Sequence, residues 1–317
     1  MTQPSLYPLL MQPSLHVKVW GGRRLETVLG KTLPSAEPYG EAWEVHDTAT
    51  VANGDLAGQT LGALVMRYDK DLLGTRSDPA LGFPLLVKFL DAADWLSVQV
   101  HPNDQQAQQY DGEPRGKTEA WYVLAAEGER KLVYGMQPGT SRTDMADAIR
   151  ENRLEPLLNY VTVGVGDTLF NSPGTVHALG PGLLIYEIQQ SSDLTYRLYD
   201  WGRMGLDGKP RAMHIDKGTA VAITDSAPTV LRHTDEPNRL LVDCPYFTTT
   251  LTTISGTSAP IPTGGVFHLL TVIDGALTVD DGRMNVEIGR GQSAVIPAAL
   301  TTYTLHGMGK VLTSYQP

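Results

Sequence analysis

From residue 240 to residue 314 the chain is a succession of short runs in which apolar and polar residues alternate, each closed by a Gly- or Asp-rich turn. A period of two puts every second side chain on one face, as in a strand with one buried side. Strands this short, at this spacing, argue for a sandwich or barrel. The runs cover 240–244, 246–254, 266–272, 276–279, 285–288, 293–296, 301–305 and 310–314. Earlier stretches read the same way: 17–22, 42–46, 83–90, 183–191 and 193–201. Helical spacing is confined to 61–73, with Thr60 as its cap, to 143–150, and to short pieces at 105–110, 154–158 and within 212–224. The expected fold is mainly β with a few helices.

A length of 317 residues suits one large domain or two ordinary ones. The polar, turn-rich stretch 227–238 is the natural boundary, giving domains 1–230 and 231–317. Residues 1–15 are Pro-rich and read as an arm on the surface. The net charge of −10 excludes a broad basic face for nucleic acid, so any anion must meet a local cluster of positive charge. Cys244 is the single cysteine, which permits neither an internal disulfide nor a thiolate cluster and fits a reducing compartment. The first fifteen residues lack a basic segment followed by an apolar core, and no run approaches membrane-spanning length. A cytoplasmic protein without membrane partners is expected.

Three stretches carry chemistry. In 96–104, Leu96, Val98 and Val100 fall on one face while Ser97, Gln99 and His101 fall on the other. Three polar side chains in a row describe the wet wall of a cavity. Pro102 stops the strand, and Asn103 or Asp104 can cap a helix behind it. His101 therefore stands at a strand mouth, either as a metal ligand or as a partly buried histidine. In 116–124, a Gly leads into a strand on which Lys117 and Glu119 share a face. In 163–180, Gly and Pro punctuate a strand–turn–strand unit, and His177 follows the turn. Lys88 lies inside an apolar strand, pointing either to solvent or into a polar cavity. Arg197 sits among aromatic residues, either as an ion-pair partner or as a cation aimed into a pocket.

The stretch from Gly164 through Pro173 to His177 is echoed by Gly289 through Pro297 to Thr301. Both halves then share one β architecture, and only the first has histidine at the slot after the turn. Closing strands into a small barrel would bring inward residues to one level. His101, Glu119, His177 and Gln99 would then supply two imidazoles, a carboxylate and an amide oxygen. That set suits Zn²⁺, Fe²⁺ or Mn²⁺.

The motifs Trp20-Gly-Gly, Phe83-Pro-Leu-Leu-Val-Lys-Phe, Leu96-Ser-Val-Gln-Val-His-Pro-Asn-Asp, Gly116-Lys-Thr-Glu-Ala-Trp, Gly174-Thr-Val-His-Ala, Glu187-Ile-Gln-Gln-Ser-Ser-Asp and Tyr196-Arg-Leu-Tyr-Asp resemble those of the short bacterial type I mannose-6-phosphate isomerases, zinc enzymes of the cupin superfamily. The turn from Pro173 to His177 is a residue shorter than the general cupin motif. The resemblance implies two cupin-like jelly-roll or β-barrel domains, the second metal-free. It implies one Zn²⁺ per chain on His101, Glu119 and His177, with Gln99 in a fourth position. It also implies a small sugar phosphate as partner, isomerised between mannose 6-phosphate and fructose 6-phosphate through an enediolate. Arg197 would be the active-site arginine and Lys117 a base or oxygen-positioning group. Glu187 is the rival base, and Ser97 and Lys88 help to hold substrate. Two alternatives use the same residues: an Fe-dependent cupin dioxygenase, and a non-catalytic sugar-phosphate-binding paralogue. The sequence does not fix the oligomeric state.

Overall fold

Alternation in the strand Glu119–Ala126 divides its side chains between two environments, and its neighbours in the sheet follow it. Register pairs Trp43 with Lys88, Lys88 with Glu187, and Glu187 with Trp121. Directly paired residues in an antiparallel ladder share a face, so these four side chains form one row across the sheet. The adjacent row, on the opposite face, is Ala42, Phe89, Tyr186 and Tyr122. All four of those are buried in the largest apolar core.

The computed structural model describes residues 5–225 and 228–317, and its strands form three sheets. The first, with seven strands, has the order 230–231, 168–171, 119–126, 183–190, 85–92, 39–45, 14–22. A five-stranded sheet runs 196–199, 98–100, 177–179, 131–136, 158–162. The largest has nine strands, built mostly from residues beyond 238. The apolar face of the seven-stranded sheet packs on this C-terminal sheet through Phe267, Leu269 and Leu312, and the Tyr186 hydroxyl meets Ser314 Oγ at 3.2 Å. On the five-stranded sheet, Val98, Val100, Ala178, Tyr196 and Leu198 face the helices Arg142–Arg150 and Ile215–Val221. Its other face looks across at Trp121, Val123 and Ile185.

Mainly β with a few helices is what forms, but the sheets are not jelly-roll barrels. In each strand order the first and last strands pair with a single neighbour, so none of the three closes. A barrel needs an unbroken ring of ladder bonds. The five-stranded sheet cannot supply one, because Val98–Val100 is stopped by Pro102 and His177–Leu179 is hemmed between glycine turns, leaving three residues each. At the far edge of the seven-stranded sheet, Ser14–Gly22 loses register twice. Two stacked open sheets do the work expected of a barrel interior.

The arm is also different. Its residues 1–4 lie outside the described residues, but Leu9–Gln12 is a strand inserted between Ser293–Ile296 and Thr50–Val51, with Leu9 fully buried. Ala227, at the start of the stretch read as a boundary, also lies outside the described residues. The 61–73 helix divides at Asp69, whose φ of 48° ends Leu61–Tyr68 before Lys70–Leu73 begins. Among the described residues no helix is long and apolar enough to cross a membrane.

Candidate metal centre

Facing strands of the two open sheets supply the site. Because Val98, Val100, Val176 and Ala178 are held in the core beneath the helices, alternation turns Gln99, His101 and His177 the other way. Glu119 opens its strand on the same face as Trp121 and so meets them from across the gap. One ligand atom each from His101, Glu119 and His177 lies within 4.8 Å of the others, and all three residues are buried.

The donor set is prepared for a cation. His101 Nδ1 lies 2.8 Å from the Leu194 carbonyl, and His177 Nδ1 lies 2.9 Å from that of Thr175. A carbonyl only accepts, so each Nδ1 carries the proton and each Nε2 keeps a lone pair. Both Nε2 atoms face Glu119, at 3.5 Å from Oε2 and 3.1 Å from Oε1. Burial, then the Lys117 ammonium, holds His101 well below the ordinary imidazole range, which keeps it neutral. Burial works against the Glu119 carboxylate, but the causes led by the Lys117 ammonium outweigh it and hold its pKa well below the usual value. A neutral His101 beside an ionised Glu119 gives protonation states that suit a divalent cation. Gln99, paired in register with His177, brings its amide within 3.3 Å of His177 Nε2.

Beside the centre, beyond Gln99 and Lys117, lies a cavity of about 290 Å³ whose wall also includes Lys88, Ser97, Glu187 and Arg197. Every residue singled out from the sequence thus lies at the metal trio or on this wall. Lys117 Nζ stands 2.7 Å from Glu119 Oε2 and 3.2 Å from His101 Nε2. Burial pushes its pKa down, yet Glu119 and Glu187 more than reverse this, so the ammonium is retained. Glu187 Oε2 accepts from Trp121 Nε1 at 2.7 Å, and burial followed by the Glu119 charge raises its pKa. Lys88 is buried and faces the cavity, 3.8 Å from Glu187, with the Trp43 ring 4.5 Å from its ammonium. Arg197 donates to the Ala212 carbonyl at 2.8 Å. Its apolar neighbours Tyr196 and Leu198 point into the helix-side core, so burial and the nearby Arg211 set its surroundings.

Sequence reading missed several members. Asn171 donates to Glu119 Oε1 at 3.1 Å and is fully buried, but only the register Asn171↔Glu119 reveals it. Glu41 and Lys18, 3.1 Å apart, line the same cavity. The alternation of Tyr39–Val45 held that signal, with Glu41 two residues from Trp43 and its Oε2 accepting from Trp43 Nε1 at 2.6 Å. A larger cavity of about 780 Å³ lies against the C-terminal strands, and among the described residues Arg76 and His268 are the acidic or basic ones on its wall. Size favours that cavity; the convergence of charges and metal-type donors favours the smaller one.

The description "Phosphomannose isomerase type I, catalytic domain" belongs to a family model that matches residues 9–129, and "Mannose-6-phosphate isomerase, cupin domain" to one matching 238–316. The mannose-6-phosphate isomerase of Streptococcus mutans is 34% identical over 97% of this chain and 98% of its own length. The crystal structure of the mannose 6-phosphate isomerase from Bacillus subtilis is similar with a TM-score of 0.87, at 29% identity over 97% of this chain and 99% of that one. A zinc-bound mannose 6-phosphate isomerase shares the fold with a TM-score of 0.78, at 17% identity over 98% and 99% of the two chains.

Proposed function

The chain belongs to the type I phosphomannose isomerases, and from that membership and the site's geometry we propose that it interconverts mannose 6-phosphate and fructose 6-phosphate with one zinc ion per chain. His101, Glu119 and His177 would hold the ion, with Gln99 as fourth ligand. The observation that carries this reading is the convergence of two Nε2 lone pairs and a carboxylate within 4.8 Å, each imidazole fixed through Nδ1. A nitrogen and oxygen set without thiolate suits zinc, and the zinc-bound relative in fold supports that choice. When bound, zinc supplies a Lewis acid that polarises the oxygens on C1 and C2.

The remaining work falls to the chain's own residues. The C2–H bond of mannose 6-phosphate breaks, its electron pair forms the C1=C2 bond, and O1 takes the negative charge. The O2 proton then passes to O1, the C2=O bond forms, and the C1=C2 electron pair takes up the carbon-bound proton at C1, which completes the ketose. Glu187 carries the carbon-bound proton. Its raised pKa brings it towards the operating pH, and Trp121 fixes its orientation. Lys117 keeps its proton beside Glu119 and serves as a cationic donor to the reacting oxygens rather than as the base. Arg197 steadies the enediolate charge, while Lys88 and Ser97 hold the substrate. A dioxygenase would have no use for this set of cations. Metal-loaded protein given mannose 6-phosphate should produce fructose 6-phosphate, and mannose should turn over far more slowly. A fully loaded protein that binds mannose 6-phosphate without converting it would leave only the binding paralogue.

A further inference from the structure

Tyr246 connects the C-terminal part of the chain to the segment that presents Lys117. Its hydroxyl donates to Asp104 Oδ2 at 2.9 Å. Asp104 is the first residue of the helix Asp104–Asp111, whose Asn103 cap follows Pro102 and His101. Its other oxygen, Oδ1, accepts from the Gly116 N–H at 2.8 Å and from Gln190 Nε2 at 2.9 Å. Gln190 Oε1 accepts from the Thr118 N–H at 2.9 Å, and the Gln190 N–H donates to the Thr118 carbonyl at 3.0 Å. Lys117 is therefore flanked by two residues whose backbones are fixed by the Asp104–Gln190 pair, and its own N–H donates to Pro102 O at 3.0 Å. The fit is close: a Cβ on Gly116 would lie 2.4 Å from the Asn103 carbonyl carbon.

We infer that Tyr246 is a positioning residue: through Asp104 it fixes the 116–119 segment, and hence Lys117 and Glu119, against His101. The inference rests on the role given to Lys117 above. It also gives the C-terminal sheet a part in turnover, since Tyr246 stands between Asn238–Asp243 and Thr248–Thr257, two strands of that sheet. Three donors from three parts of the chain converge on one carboxylate. Removing one frees the carboxylate to rotate, and the two backbones it holds loosen with it.

The test is Tyr246→Phe in the metal-loaded enzyme. We expect kcat to fall about tenfold, short of the roughly hundredfold that a 1 Å misplacement can cost. KM should stay within about twofold, since holding substrate and placing Lys117 are separate tasks. Metal content and Tm should match the parent, and the Gly116 amide should exchange faster with deuterium. Tyr303→Phe is the control. It removes a hydroxyl bonded to His268 in the same sheet, at 2.9 Å, with no link to Asp104, and should leave kcat unchanged. Parent-like kcat and exchange in Tyr246→Phe, or an equal loss in Tyr303→Phe, would overturn the inference. Lys117→Met separates the two possible failures. Parent-like turnover there removes the role of Lys117, whereas loss there alongside a parent-like Tyr246→Phe removes the positioning role alone.

Discussion

Arg197 and Glu41 show how single side chains on one cavity wall do different things. In the proposed mechanism Arg197 meets charge that develops only along the reaction path, so its guanidinium should affect turnover more than binding. Arg197→Ala should lower kcat by roughly two to three orders of magnitude, the scale of a lost oxyanion donor, with KM and zinc content nearly unchanged. An unchanged kcat with a steep rise in KM would instead make Arg197 a phosphate clamp. Glu41 acts on stability. Burial pushes its carboxyl up, but Lys88 and Lys18 outweigh this and hold it at about 2. Its folded-state pKa is depressed, so its contribution is present above the unfolded value and lost as pH falls towards 2. Glu41→Gln should therefore be less stable than the parent at pH 7. The difference should shrink as acid protonates Glu41 in the parent, and denaturant titrations at several pH values would show it. A gap that does not change with pH would mean that the carboxylate charge is not what stabilises the fold.

Glycine marks turns in the sequence, yet in the strands His268–Asp280 and Thr302–Tyr315 it lies inside the strand. The runs 266–272 and 276–279 join as the single strand His268–Asp280, and 301–305 and 310–314 join as Thr302–Tyr315. The two strands pair along most of their length, with a register shift between Val272 and Asp274. Gly275 has a φ of 69°, and a Cβ there would lie 2.1 Å from the Met308 carbonyl oxygen. The glycine thus permits a bulge and a close backbone approach rather than a reversal. Gly275→Ala should cost roughly 2–4 kcal/mol, from left-handed backbone strain plus the displaced strand. Thermal unfolding should show the loss, while turnover per folded molecule stays at the parent level; an unchanged Tm would mean the sheet relaxes around a side chain there. Local pattern was a better guide where a side chain fixes an end: Thr60 caps Leu61–Tyr68 by accepting from Ala63 N, and Asn103 forms a full capping box with Gln106.

Across the whole molecule, the site was legible because the chemistry-bearing residues obey strand alternation: Gln99 and His101 fall opposite Val98 and Val100, and Lys117 falls with Glu119. Closure was not legible, because alternation fixes which face a residue takes but not whether the outermost strands meet. Asn171 was hidden for a related reason: it is placed by Glu119 across a ladder, which one strand alone does not show, whereas Glu41 was within reach of its own strand's alternation with Trp43. The stacked open sheets still bring the candidate ligands together, and isomerisation should depend on the ion they hold. The most direct measurement is to strip the protein with a chelator, verify the loss by elemental analysis, and assay mannose 6-phosphate isomerisation while zinc is titrated back. Activity should be lost and should return at one zinc per chain, with His177→Ala folded but neither binding zinc nor recovering. Undiminished turnover by verified metal-free protein, or stoichiometric zinc retained by His177→Ala, would contradict this expectation.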